Sequence, residues 1–199
     1  MARGRINHRL RSQIAQIAAR LMAEDGIEDY GFAKRKAARQ VGAVAASWPD
    51  NREIEAALRA YRALYQPDEH RERLQRLREL AVSVMRELAA FRPHLTGSVL
   101  NGNAGTQARL ALHLFTDNTK AVEFYMIDRG IPYRSAGQRL YFGGDERTVP
   151  AFVFERDGTE IQLTVLSTQD LRSPARTRPS GAPVERARLE AVEALLGES

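Results

Sequence analysis

The hydrophobic period of this chain changes at Pro93, and this change constrains the fold more than any single motif does. Before Pro93 the apolar residues recur every three to four positions, as they do on one face of a helix. After Pro93 they alternate with polar residues, as they do on one face of a strand. The pattern predicts an α+β protein, with a helical region over residues 1–92 and an α+β domain over residues 93–199.

The helical region is predicted to contain four helices. The first carries an apolar stripe from Leu10 to Met22 and ends at Asp25-Gly26. Residues 43–48 are expected to be a connector that precedes a helix capped by Asp50 or Asn51. The remaining helices are expected over residues 32–41 and, after an interruption at Pro67, over residues 69–91.

The second region is predicted to form a mixed sheet with flanking helices. An Asp157-Gly158 pair between two alternating runs predicts a tight hairpin. A stretch rich in Pro, Arg, Ser and Thr at 172–183 predicts an extended, mobile loop. The expected strands are 94–100, 109–115, 139–142, 149–155 and 160–166, and the expected helices are 119–129 and 184–196.

Charge is distributed unevenly between the two regions. Residues 1–92 carry 18 basic and 12 acidic side chains, a net charge of +6, whereas residues 93–199 carry 12 and 13, a net charge of −1. A basic region attracts polyanions, so contact with nucleic acid is one interpretation, and a solvated helix surface is the other. The chain has no cysteine, which excludes disulfides and thiolate chemistry.

A Gly97-Ser98 pair stands before a predicted strand that begins at Arg109. A glycine turn lets the backbone approach a phosphate, and alternate residues of the following strand share one face, where carboxylates can hold metal ions. In this order of elements, residues 94–167 resemble the DNA-polymerase-β-like nucleotidyltransferases. The resemblance implies a nucleotidyltransferase-like sheet that binds a nucleotide at the Gly-Ser turn.

The resemblance also implies where the metal-binding acids of such an enzyme would stand. Those positions are occupied by Arg109, Ala111 and Gln162, and none of them is acidic. Mg²⁺ prefers hard, charged oxygen ligands, which an arginine cannot supply. We therefore expect a catalytically degenerate protein that binds a nucleotide, RNA or a protein partner without metal-dependent transfer. The expected phosphate- or nucleotide-binding residues are Gly97, Ser98, Arg109, His113 and Gln162.

Two other functions fit the sequence. Residues 18–26 resemble the first helix of TetR-type regulators, which implies a helical DNA- or RNA-binding regulator acting through residues 1–65. Its nucleic-acid contacts would be the basic cluster of the second helix: Lys34, Arg35, Lys36 and Arg39. The third possibility is an active nucleotidyltransferase that uses other carboxylates, such as Asp117 or Glu160.

The remaining signals are mostly negative. The histidines at 8, 70, 94 and 113 lack metal-site spacing, so no metal ion or other cofactor is expected. Without a membrane-spanning run or a secretory signal, the expected location is the cytoplasm, away from membranes. The Gly102–Gly105 loop is flexible enough to approach a phosphate, but it lacks the Gly-Lys-Ser/Thr of a P-loop and is expected to be a connection.

Overall fold

A computed structural model describes residues 2–27, 29–43, 48–65, 67–179 and 181–197. The backbone divides into two compact units. The helical unit comprises the chain up to residue 73 together with residues 102–107, and the sheet unit comprises residues 74–101 and 108–199. The change from helix to strand lies at Pro93 as expected, whereas the division between the units falls earlier, inside a helix.

Three helices form the core of the helical unit: α1 (Ala2–Glu24), α2 (Tyr30–Gln40) and α3 (Asn51–Tyr65). Their buried side chains include Ile14, Ile54 and Leu58, and the small alanines of α1 and α2 are buried with them. The α3 helix begins with a reciprocal cap, in which Asp50 accepts from the Glu53 backbone N–H and Glu53 accepts from that of Asp50. Of the expected connector 43–48, residues 44–47 lie outside the described residues.

Helix α4 (Pro67–Glu87) is followed by a 3₁₀ turn at Ala89–Phe91, where a single helix up to residue 91 was predicted. Strand β1 (His94–Thr96) then leads into the short helix α5 (Gly97–Leu100). The prediction of one strand over 94–100 was wrong, because Gly97 adopts a φ of +74° and turns the chain out of the extended conformation.

The other elements of the sheet unit are β2 (Leu110–Phe115), α6 (Thr119–Asp128), β3 (Arg134–Phe142), β4 (Asp145–Arg156), β5 (Thr159–Leu166), β6 (Arg186–Ala187) and α7 (Leu189–Gly197). The six strands described lie in the order β3-β4-β5-β2-β1-β6. Strands β2 and β5 are parallel and all other neighbours are antiparallel. The α+β class is therefore confirmed, with a mixed sheet.

Three more predicted elements need correction. Strand β4 begins at Asp145 rather than 149, because its first four residues are exposed and show no apolar alternation. Strand β3 begins at Arg134 rather than 139, because its first half is an exposed polar strand with no apolar alternation to reveal it. The last helix begins at Leu189 rather than 184, because residues 186 and 187 pair with β1. Of the predicted loop 172–183, residue 180 lies outside the described residues. The remaining residues form no helix or extended strand, but Arg176 pairs with Tyr141 of β3 and Ala175 is buried against the sheet.

One face of the sheet is apolar. It carries the even-numbered residues of β2 and the odd-numbered residues of β5, which are almost fully buried: Leu110, Leu112, Leu114, Ile161, Leu163 and Val165. Helices α4, α6 and α7 each bury apolar residues within the sheet unit, and an ion pair between Arg156 and Glu87 (2.6 Å) joins the end of β4 to the end of α4. The candidate site therefore lies on the opposite face.

Candidate functional site

The strand registers gather most of the predicted site residues on one face of the sheet. Thr96 of β1 is opposite Ala111 of β2, and Ala111 is opposite Gln162 of β5. One step along, His94, His113 and Thr164 form a second row. Arg109 immediately precedes β2 and shares this face, because it lies two residues before Ala111.

The Gly97-Ser98 turn lies where β1 ends and α5 begins. The left-handed conformation of Gly97 is one that other residues adopt only at a cost, and a Cβ there would lie 3.7 Å from the Cβ of Ala111. The Thr96 hydroxyl donates to the Ala111 carbonyl at 3.2 Å and thereby ties β1 to β2. Because the side chain at position 111 is small, the turn can lie next to β2. Ser98 is half-buried in the first turn of α5.

Polar side chains form a hydrogen-bonded row across three strands on this face. Arg109 Nη1 donates to Gln162 Oε1 at 2.9 Å, and Gln162 Nε2 donates to Gln138 Oε1 at 2.7 Å. Thr164 also donates to Gln138 Oε1, at 2.5 Å. The row orients the Gln162 amide so that its oxygen meets the guanidinium, while Arg109 itself remains exposed.

His113 belongs to the same face but lies inside it, with 4% of its surface exposed. Its ring neighbours Phe115, which also makes an edge-to-face contact with His94. Burial, together with the positive charge of Arg186 and the neighbouring His94, lowers the pKa of His113 to about 4. The imidazole is therefore neutral at neutral pH, and its burial gives a ligand on the face little access to it.

Three acidic residues of the sheet unit, including the two candidates of an active enzyme, have partners of their own. Asp117 accepts from the backbone N–H (3.0 Å) and the hydroxyl (2.6 Å) of Thr168, and Glu160 forms an ion pair with Arg134 at 3.0 Å. The buried Asp170 is paired with Arg147 at 2.6 Å. In the part of the chain that the structure describes, no group of three or more His, Cys, Asp or Glu side chains is placed to hold a metal ion.

The basic cluster of α2 divides into two pairs. Lys34 donates to Asn51 at 3.4 Å, and Lys36 forms an ion pair with Asp25 at 2.9 Å. Arg35 and Arg39 are exposed, one helical turn apart. Residues 41–50 separate α2 from α3, which is longer than the turn of a helix-turn-helix motif.

Gln138 is the member of the site that sequence reasoning missed. It lies on β3 one residue before the predicted start of that strand, within an exposed polar run. Its partners Gln162 and Thr164 lie on β5, beyond the intervening strand β4. Only the extended β3 brings its side chain to them, so no local pattern could have identified it.

Comparison of the chain with models of protein families, with curated proteins and with solved structures finds no match. Among the described residues, no helix combines the length and the apolar character needed to cross a membrane.

Proposed function

We propose that the sheet unit is a nucleotidyltransferase-like domain without its metal ligands, and that it binds the phosphates of a nucleotide through Gly97, Ser98, Arg109 and Gln162. The single observation that carries this proposal is the contact between Arg109 and Gln162 at 2.9 Å. The contact supports the proposal because it orients a guanidinium at a position for which the resemblance implies a metal-binding carboxylate.

The chemistry of these groups suits a phosphate. A guanidinium has five N–H donors and binds phosphate oxygens with two parallel hydrogen bonds. Arg109 makes one hydrogen bond within the described residues, which leaves donors for a ligand. Gln162 presents a neutral oxygen, which by itself binds a divalent cation weakly, whereas the fixed positive charge of Arg109 can neutralise a phosphate directly.

The turn at Gly97 supplies the second half of the proposed site. Thr96 precedes α5 and makes no side-chain cap to it, so backbone N–H groups of the first turn of α5 have no capping side chain. The exposed glycine lets a ligand approach this backbone closely. We give His113 a supporting role beneath the site rather than a direct contact, because it is buried.

The proposal is tested by calorimetric titration of ATP, GTP and CTP into the full chain. We expect binding to the wild-type protein and a loss of affinity in Arg109→Ala. The matched control is Arg139→Ala, which removes an exposed arginine on β3 from the opposite face of the same sheet. Failure of all three nucleotides to bind, or equal effects of the two substitutions, contradicts the proposal.

A further inference from the structure

The helical unit buries a cationic side chain for which the described residues form no ion pair. Arg62 of α3 is 4% exposed, and its Nη1 has no hydrogen-bond partner within the described residues. Burial lowers the pKa of Arg62, Tyr30 opposes that effect, and Arg73 adds to it. An arginine nevertheless keeps its proton in proteins, so the charge stays and its lost hydration must be compensated.

A loop of the same unit covers this guanidinium. Residues 102–107 belong to the helical unit, and a Cβ at Gly105 would lie 3.4 Å from Arg62 Nη2. At the other end of the loop, the Gly102 carbonyl accepts a hydrogen bond from His70 Nε2 at 2.9 Å. Asn103 lies in the chain between these two anchor points.

Asn103 provides an independent indication of a ligand. It is 5% exposed, and neither its amide nitrogen nor its amide oxygen has a partner within the described ranges. Buried polar groups are nearly always hydrogen-bonded, because leaving one unpaired destabilises the folded state. Arg62 and Asn103, which lies two residues before the glycine beside Arg62, both depart from this rule, so the loop brings two unpartnered residues to one part of the helical unit.

His70 specifies what that partner carries. Its Nε2 donates to the loop, so its buried Nδ1 is an acceptor, and it too has no partner among the described residues. Burial lowers the pKa of His70, and the charges of Arg62 and Arg73 lower it as well. Interactions with the Gly102 and Ala104 backbone oppose the shift, but the net lowering favours the neutral ring. The acid on the same face of α3, Glu55, is hydrogen-bonded to Tyr30.

We propose that Arg62, Asn103 and His70 bind a small oxyanion that carries protons at neutral pH, namely inorganic phosphate. Arg62 Nη1 and the Asn103 amide N–H donate to its oxygens, one hydroxyl donates to His70 Nδ1, and the second hydroxyl of dihydrogen phosphate donates to Asn103 Oδ1. The ligand supplies both the negative charge that Arg62 lacks and the donor that His70 lacks. This site is separate from the one proposed on the sheet.

The proposal is tested by thermal unfolding of the full chain in inorganic phosphate, sulfate or chloride at equal ionic strength. At about ten times its Kd, phosphate should raise the Tm by about 3 °C more than chloride does. Sulfate, which carries no proton at neutral pH, should raise it less. Equal shifts with sulfate and phosphate overturn the proposal, as does a phosphate shift no larger than that of chloride.

Single substitutions show which residues are needed for the rise in Tm with phosphate. Arg62→Met keeps the apolar stem and should abolish the difference in Tm between phosphate and chloride. Arg52→Met, on the exposed part of the same helix, should preserve that difference in Tm. Asn103→Ala is the second site variant, used if Arg62→Met does not fold, and it should reduce the difference as well. A wild-type response in the folded site variants overturns the proposal. Arg109→Ala should keep the response, which separates this site from the nucleotide site.

Discussion

The two units bury a basic side chain in different ways. In the sheet unit His113 is buried near Arg186, and it avoids the cost of a buried charge because its imidazole can lose its proton. In the helical unit Arg62 is buried to the same extent but cannot become neutral. The sheet unit therefore holds its buried base in a neutral form, whereas the helical unit keeps a buried positive charge, on which we base the proposed anion site.

A second contrast concerns the two arginines placed at candidate sites. Arg109 is exposed and hydrogen-bonded to a neutral amide, while Arg62 is buried and has an unpartnered Nη1. An exposed arginine contributes little to folding and is available for binding. A buried one affects stability first. Substitution of Arg109 should therefore change ligand binding, whereas substitution of Arg62 should first change the stability.

The largest expected effect concerns the titration of His113. Its pKa is about 4 in the folded chain and about 6.5 when unfolded, so between these values the unfolded state binds more protons. Stability is therefore full above pH 6.5 and falls as the pH decreases towards 4, by about 3 kcal/mol in total. Urea unfolding at pH 7.5 and pH 4.5 should show a smaller loss for His113→Gln than for the wild type. If the free energy of unfolding falls equally with pH in the two proteins, a group other than His113 is responsible for the loss.

The next largest effect is expected at Arg62. In buffer without phosphate or sulfate, Arg62→Met should raise the free energy of unfolding by about 1–2 kcal/mol, because it removes a buried charge and keeps the packed stem. Urea unfolding measures this change. Arg52→Met, an exposed substitution on the same helix, should stay within about 0.5 kcal/mol of the wild type. A clearly destabilised Arg62→Met would mean that Arg62 already has sufficient partners.

Arg109→Ala should show the opposite behaviour. We expect nucleotide affinity to fall by about tenfold or more, the loss of one charge-assisted contact, with a change in stability below about 0.5 kcal/mol. Calorimetry gives the affinity and urea unfolding gives the stability. A large loss of stability with unchanged nucleotide affinity would reverse the contrast between the two arginines.

The smallest effect is expected at Gln162, which orients the guanidinium without carrying the charge. Gln162→Leu should weaken nucleotide binding by about three- to fivefold, since Arg109 remains but loses its acceptor on β5. The same titration measures it. If this substitution weakens binding more than Arg109→Ala does, the roles of the two residues are exchanged.

Local patterns explain which parts of the fold could be predicted. The Asp157-Gly158 hairpin could be predicted because an Asp-Gly pair suits a tight hairpin turn, which requires positive φ. In the structure the two φ values are +51° and +70°. The first half of β3 was not, because an exposed edge strand has no apolar face. Short elements such as α5 and β6 depend on neighbours that lie far away in sequence.

The same limit applies to the sites. The alternation of β2 predicts that Arg109 and Ala111 share a face, but the contact of Arg109 with Gln162 depends on a parallel register across 53 residues. The loop around Gly102 was predicted to be a connection, and nothing local shows that it covers Arg62. Burial without a partner is a property of the tertiary structure, so no sequence pattern could reveal it.

The central claim is that Arg109 replaces metal charge in nucleotide binding, and the most direct test is the Kd of ATP measured in EDTA and in Mg²⁺. We predict that ATP binds in EDTA and that Mg²⁺ leaves its affinity unchanged or lowers it. Arg109→Ala should weaken ATP binding in both conditions. Binding that requires Mg²⁺ and survives Arg109→Ala would contradict it.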